Sequence, residues 1–231
     1  MPWRGDAQPR TGSAMTTALA LTQGDPAGIG PGITLRAWLA REEHGLAPFF
    51  VIGDPDFLGR IAARLGLAVP LAEVTPEAAA EAFGRALPVV RLPGGLTVAA
   101  EPGRPDPASA AGTLASIDEA VRLVRAGRAP ALVTNPIAKH VLYAAGFRHP
   151  GHTEYLAALA AEPGGPAPTP VMLLWSEALA VVPDDPRGVA PGAGAAHRRA
   201  RDRDRRGVLP RTRQARGAGG LSRIPGCRTR G

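Results

Sequence analysis

The sequence predicts an α/β protein built on a mainly parallel sheet. Three observations carry that reading. Short apolar runs alternate with helix-patterned segments from about residue 18 to residue 182. A loop rich in glycine and proline, residues 24–31, joins the first apolar run to a helix. Residues 131–159 compress a strand, a loop, a helix, a turn and the start of another helix into one short stretch.

In chain order, residues 18–22 (ALALT) form the first predicted strand. The loop after it holds three glycines and two prolines in eight residues, which forces a tight turn with exposed amides. Pro31 suits the first turn of the next helix, whose apolar residues are Ile33, Leu35, Trp38 and Leu39. The loop has neither the Gly-Lys-Ser/Thr of a P-loop nor the G-x-G-x-x-G spacing of a dinucleotide fold, so spacing alone equally supports a plain strand–helix turn. Residues 49–52 read as a second strand, 55–65 as a helix and 68–71 as a third strand. Residues 76–87 are alanine-rich and read as a short helix, with 89–92 and 96–98 as short strands and 102–107 as a proline-rich turn. Residues 108–126 predict a long helix with Leu114, Ile117, Val121 and Val124 on one side, ended by Gly127.

Residues 131–134 read as a buried strand, broken by Asn135-Pro136. Residues 137–145 have helical spacing, with Ile137, Val141 and Leu142 on one face and Gly146 as the stop. His149-Pro150-Gly151 is a turn, and His152-Thr153-Glu154 opens a further helix whose apolar side is Tyr155, Leu156 and Leu159. Polar groups therefore collect where a strand ends and two helices begin. Open α/β sheets bind ligands at such places, and helix amides favour anions there. Residues 163–170 predict a surface loop, and 171–174 and 179–182 two strands paired through Ser176-Glu177.

With 231 residues the chain can bury a sizeable core, as one large domain or two small ones. The single cysteine, Cys227, excludes an internal disulfide and a cysteine metal cluster. No run approaches the roughly 18 apolar residues of a membrane span, and the N-terminus lacks a secretory pattern, so a cytoplasmic protein is expected. Residues 1–15 are polar and aperiodic and predict a disordered extension. Charge is distributed unevenly. Residues 183–231 hold 13 Arg, no Lys and 4 Asp, a net +9, whereas the first 182 residues hold 14 basic and 16 acidic groups, a net −2. That last stretch has only Val189, Val208, Leu209, Leu221 and Ile224 as large aliphatics and no aromatic, too little apolar surface to offset its ordering entropy. A disordered tail is expected there.

Two motifs then point to one family. TQGDPAGIGPGI (residues 22–33) and VTNPIAKHVLYAAGF followed by GHTEYLA (within residues 133–157) resemble the 4-hydroxythreonine-4-phosphate dehydrogenases of pyridoxal phosphate biosynthesis. The resemblance runs from about residue 16 to residue 182, roughly the first half of a family member. It implies an isocitrate/isopropylmalate dehydrogenase-like α/β fold, here incomplete, and a homodimer. It further implies NAD or NADP and a divalent metal (Zn, Mg or Co) for oxidising a secondary alcohol of a small phosphorylated hydroxy-amino acid, with decarboxylation. Relatives on this scaffold oxidise other 4-phosphorylated hydroxy acids or ring dihydrodiols, which leaves the substrate open. Carried over by position, His152 and Thr153 bind substrate, and Lys139 of the T-x-P-x-x-K loop supports the phosphate or the cleft. Read without the family, His152 is a structural histidine, Thr153 an N-cap and Lys139 a solvated helix lysine. Asp25 either caps the glycine loop or lines the cleft. Gly32 stands where the family has Glu, so whatever that carboxylate orients is lost.

The tail departs from the family completely. Members continue into segments with Thr-x-His, Asn-Pro-His-Ala-Gly-Glu and His-Asp-Gln-Gly, whose three histidines hold the metal, and none of these is present. His197 lies in His-Arg-Arg-Ala and matches none of them, so no metal ligand is expected in this chain. Val-Thr-Ile-His encoded GTG ACG ATC CAC reads GAC GAT CCA in a shifted frame, giving Asp-Asp-Pro, and the chain has Asp184-Asp185-Pro186 at this place. The expectation is a frameshift product after about residue 183 and a chain without dehydrogenase activity. A competing expectation is a non-enzymatic protein whose Arg198, Arg199, Arg201, Arg203, Arg205 and Arg206 bind polyanions such as nucleic acid in a salt-dependent way. Against it, the tail has no Lys and no aromatic for base stacking.

Overall fold

The computed structural model describes residues 18–176 and 179–182. The expected extension at 1–15 and the expected tail at 183–231 lie outside the described residues. The chain divides into two units, Met1–Pro170 and Val171–Gly231.

The first unit is built on five strands: β1 (Leu19–Thr22), β2 (Phe49–Gly53), β3 (Leu71–Glu73), β4 (Leu87–Arg91) and β5 (Leu132–Val133). They form one parallel sheet in the order β3-β4-β2-β1-β5. The α/β class expected from the alternation is the one observed. All five residues of β2 are buried, and because successive side chains point to opposite faces, both faces of that strand are covered. Phe50, Ile52, Leu87 and Val89 form the centre of the core with Leu35 and Leu123.

Among the described residues six α-helices accompany the sheet: α1 (Gly30–Leu39), α2 (Pro55–Arg64), α3 (Ala79–Ala82), α4 (Ala110–Arg125), α5 (Lys139–Ala144) and α6 (His152–Leu159). The end of α1 is anchored by Trp38. Its indole Nε1 donates to Phe83 O at 2.9 Å, and the Arg41 guanidinium covers its ring at 3.9 Å while donating to Gly84 O. α2 starts where Asp54-Pro55 says it should, with the Asp54 carboxylate accepting from Asp56 N and Phe57 N.

Several expected elements are corrected. The third strand is Leu71–Glu73, not 68–71, because pairing with β4 sets Leu71 opposite Leu87. Residues 76–87 are not one helix. A 3₁₀ turn at Pro76–Ala78 leads into the four-residue α3, and Leu87 already belongs to β4. Residues 96–98 form no strand. A turn at Pro93–Gly95 precedes them, and the Val98 amide is taken by Asp54 Oδ2 at 2.8 Å instead of a neighbouring strand.

The buried side of α4 runs through Thr113, Ser116, Ile117, Ala120 and Leu123, while Leu114 and Val124 are only partly buried. Small residues are needed there because α4 lies close over the strand ends. Ser116 Oγ donates to Ile52 O at 2.6 Å and accepts from Gln23 N at 2.9 Å. The expected buried strand at 131–134 is a two-residue edge strand, and Val133 is 45% exposed. α5 starts at Lys139, later than expected, so Ile137 falls outside it, and Gly146 ends this segment at φ +89°. In α6 the buried residue is Ala157, not Tyr155, Leu156 or Leu159.

In the second unit the described residues form an antiparallel pair, β6 (Leu174–Trp175) with β7 (Ala180–Val181), in the register Leu174↔Val181. The pairing expected around Ser176 is present, but as two-residue strands instead of strands over 171–174 and 179–182. Leu174 and Trp175 face solvent, Trp175 at 72% exposure.

Candidate functional site

The site grows from the C-terminal ends of β1, β2 and β5. The chain leaves β1 at Thr22 and enters the glycine loop, and leaves β5 into Asn135-Pro136. These two loops are locked together. Asn135 Nδ2 donates to Thr22 O at 2.9 Å and to Thr34 Oγ1 at 2.8 Å, and Asn135 N donates to Thr22 Oγ1. Asp25 N donates to Pro136 O at 2.9 Å, and Thr113 Oγ1 donates to Gly24 O at 3.1 Å. Asp25 is buried, and its carboxylate turns back to accept from Ala27 N at 3.1 Å. Of the two roles weighed for Asp25, the loop-capping one has these contacts behind it. Gln23 is also buried, and neither polar atom of its carboxamide has a partner among the described residues.

The second half of the site is the turn between α5 and α6. Gly151, not Thr153, is the N-cap of α6, and no side chain caps that end. The first-turn amides are thereby left open to a ligand. Lys139, the first residue of α5, extends to the same place: its Nζ lies 3.3 Å from where a Cβ on Gly151 would stand, with Glu154 Oε2 at 3.4 Å. His152 is half-buried, and its Nε2 has no partner among the described residues. Burial first, and then the Lys139 charge, hold its imidazole below the usual histidine range. His152 and Lys139 are thus brought together, with Thr153 next along the same helix turn. Asp25 belongs to the glycine loop, whose bond to Pro136 O reaches the segment leading into α5 and not the α5–α6 turn itself.

The neutral imidazole, the lysine cation and the open helix turn form an arrangement that can bind and orient an anionic ligand. The cofactor groups implied by the resemblance fit less well. Among the described residues no group of three or more His, Cys, Asp and Glu side chains comes together as a metal site. Nor does the glycine loop leave a cradle for a pyrophosphate. A Cβ on Gly24 would meet Asn135 Cβ at 2.6 Å, and one on Gly30 would meet Gln23 O at 3.1 Å. Protein atoms already occupy the space that these glycines create. Beside the loop, α1 and α2 border a mainly apolar groove of about 310 Å³ lined by Ile29, Ile33, Ile61 and Leu65, with Arg36 and Arg64.

The sequence motifs located His152, Thr153, Lys139 and Asp25. They did not locate Asn135, Ser116 or Gln23. The sequence marks Asn135 only as a strand breaker, and the polar residue at 116 inside an apolar helix pattern is the available signal for a tertiary bond.

Two predictions arise here. Folding depresses the His152 pKa, so the unfolded chain binds more protons over the window between the two values. Stability from this group is fully present above the ordinary histidine value of about 6.5 and is lost as pH falls through the lowered folded value. Urea midpoints from pH 7.5 to 5 should therefore decline less steeply in His152→Gln than in the parent chain. Parallel pH slopes would refute this. Separately, Gly32→Glu should stabilise the chain by about 1 kcal/mol, through lower backbone entropy, a carboxylate in a first helical turn that has none, and an i,i+4 partner for Arg36. The added Cβ meets only Leu65 Cδ1, at 3.4 Å. A lowered thermal midpoint would contradict it.

The fold defines a protein of the isocitrate dehydrogenase-like α/β class, with a cluster of polar groups beyond the strand ends. Residues 45–183 match the family model described as pyridoxal phosphate biosynthetic protein PdxA, and the chain belongs to that family. It is 62% identical over 165 residues to a 4-hydroxythreonine-4-phosphate dehydrogenase of Methylorubrum populi, covering 71% of this chain and 47% of that protein. The corresponding protein of Xanthobacter autotrophicus is 60% identical over the same share. Among solved structures, the 4-hydroxythreonine-4-phosphate dehydrogenase of Burkholderia phymatum aligns with a TM-score of 0.61 at 26% identity, covering 72% of this chain and 48% of that one. That of Klebsiella pneumoniae aligns with a TM-score of 0.56 at 30% identity, covering 72% and 50%. The chain spans about half the length of the curated relatives it matches.

Proposed function

We propose that this chain carries the first half of a cytoplasmic, dimeric 4-hydroxythreonine-4-phosphate dehydrogenase, whose reaction is the NAD(P)- and divalent-metal-dependent oxidation and decarboxylation of 4-phosphohydroxy-L-threonine. The observation that carries the reading is the convergence of His152 Nε2, Lys139 and the uncapped start of α6 in a chain of this family. In it, His152 and Thr153 hold the polar body of the substrate and Lys139 counters its phosphate. The metal and the nicotinamide supply Lewis acidity and hydride acceptance in the intact enzyme.

The chain as written binds this ligand without turning it over. Two observations support that part. The family match stops at residue 183, where the arginine-rich stretch begins, and the described residues offer no metal site. We attribute the stretch after about residue 183 to a shifted reading frame. Resequencing around codons 175–190 tests it: a downstream frame resuming with Thr-x-His and Asn-Pro-His-Ala-Gly-Glu is expected, and an intact single frame in independent reads would sink the idea. The purified chain should bind 4-phosphohydroxy-L-threonine by calorimetry, weaken at least tenfold in His152→Ala, and reduce neither NAD nor NADP with Zn, Mg or Co added. Turnover would refute the inactivity, and absence of binding would refute the site. The net +9 of residues 183–231 also favours incidental, salt-dependent binding of polyanions.

A further inference from the structure

We infer that Asp118 of α4, acting through the hydroxyl of Tyr155, is the positioning residue that fixes His152 and Thr153 at the start of α6; this rests on the reading of those two residues as ligand contacts.

The argument begins with how little apolar packing holds α6. Only Ala157 among its eight residues is buried, so the hydrophobic effect gives this helix a weak seat. Polar ties take over. At its first turn, Tyr155 Oη donates to Asp118 Oδ1. At its far end, Arg125, two turns further along α4, donates to Ala161 O at 2.9 Å and Leu159 O at 3.2 Å, and pairs with Glu162 at 3.1 Å. α4 therefore grips α6 at both ends.

The two grips differ in consequence. Arg125 satisfies carbonyls at and just beyond the helix C-terminus, at the opposite end from His152. Tyr155 lies three residues after His152, on the same turn, and its backbone amide bonds to Gly151 O at 3.2 Å. A shift of its ring is a shift of the His152 turn. The ring is also wedged between Phe147, edge-on at 5.0 Å and 82°, and His149 at 5.0 Å. Tyr143 Oη donates to Pro150 O at 3.0 Å and braces the turn leading in. Burial first, and the Asp118 bond next, push the Tyr155 pKa upward, so the hydroxyl stays a donor across the working range. Asp118 itself is exposed, and an exposed bond contributes little to global stability. Its effect is local, which distinguishes it from a fold-holding residue: it sets where a weakly seated helix sits.

The test uses the full chain with Asp118→Ala, Tyr155→Phe and the acceptor-retaining Asp118→Asn. Three quantities are read: amide exchange across α6, the His152 imidazole resonance (identified by its loss in His152→Gln), and the dissociation constant for 4-phosphohydroxy-L-threonine. The Ala and Phe variants should accelerate α6 exchange about tenfold, leave exchange in β1, β2 and β4 unchanged, move the His152 resonance and weaken binding about tenfold. Asp118→Asn should restore most of each. If α6 exchange and the His152 resonance do not move in Asp118→Ala and Tyr155→Phe, the positioning role is overturned. The same holds if exchange accelerates throughout the sheet. If both move locally while the parent chain binds no ligand, the positioning stands and the substrate reading of His152 fails instead.

Discussion

Gly24→Ala is expected to cost about 3–5 kcal/mol, a large share of the roughly 5–15 kcal/mol that holds a domain folded. Two independent penalties combine there. Gly24 sits at φ +72°, where a Cβ is strained on any backbone. The new methyl would also stand 2.6 Å from Asn135 Cβ and 2.7 Å from Pro136 O. Neither neighbour can give way cheaply. Asn135 is held by Thr22 and Thr34, and Pro136 O accepts from Asp25 N. Gly45 supplies the control. It has a similar positive φ, +57°, with nothing within 4 Å of an added Cβ, so Gly45→Ala should cost only the backbone part, about 1 kcal/mol. Urea unfolding of the two variants separates strain from collision. Equal losses would mean that the contact between the two loops is not the constraint described above. The functional corollary is direct: the Gly24 loop braces the segment that leads into Lys139.

Asp54→Ala is the second large effect, expected at about 2–4 kcal/mol. The buried carboxylate accepts three backbone bonds: Asp56 N at 2.9 Å, Phe57 N at 3.3 Å and Val98 N at 2.8 Å. Losing the cap of α2 accounts for about 1 kcal/mol of this, and stranding the buried Val98 amide for about 1–3 more. Asp54→Asn separates the two. Its remaining oxygen can still cap α2, while its amide nitrogen would face Val98 N–H donor to donor, so an intermediate loss is expected. Amide exchange at Val98 is the specific readout: it should accelerate in both variants, and protection retained in Asp54→Ala would disprove the assignment.

These two residues show how differently the site and fold were written into the sequence. Asp54 as a helix cap was legible, because Asp-Pro before a periodic run is a local signal. Its grip on Val98, 44 positions away, was not, and for that reason residues 96–98 read as a strand. The glycine loop was legible as a tight turn, but what fills it is Asn135, 111 residues after Gly24, and no local pattern encodes that contact. His152 and Thr153 were found through a motif. Their support, Tyr155 on Asp118, joins two helices that the sequence treats separately.

The sequence by itself determined the alternation of strands and helices, the first helical turn around Pro31, the helix start at Pro55, the stop at Gly146 and the family to which the chain belongs. Each depends on interactions within a few residues, or on a motif long enough to be read directly. Only the tertiary structure decided that β3 begins at Leu71, that β5 is an edge strand, that α4 turns its serine and threonine inward, and that Lys139 meets His152. Strand register, helix rotation and side-chain convergence are set by pairing and close packing between distant segments, where a buried polar group must find its partner and only the folded chain brings one within reach.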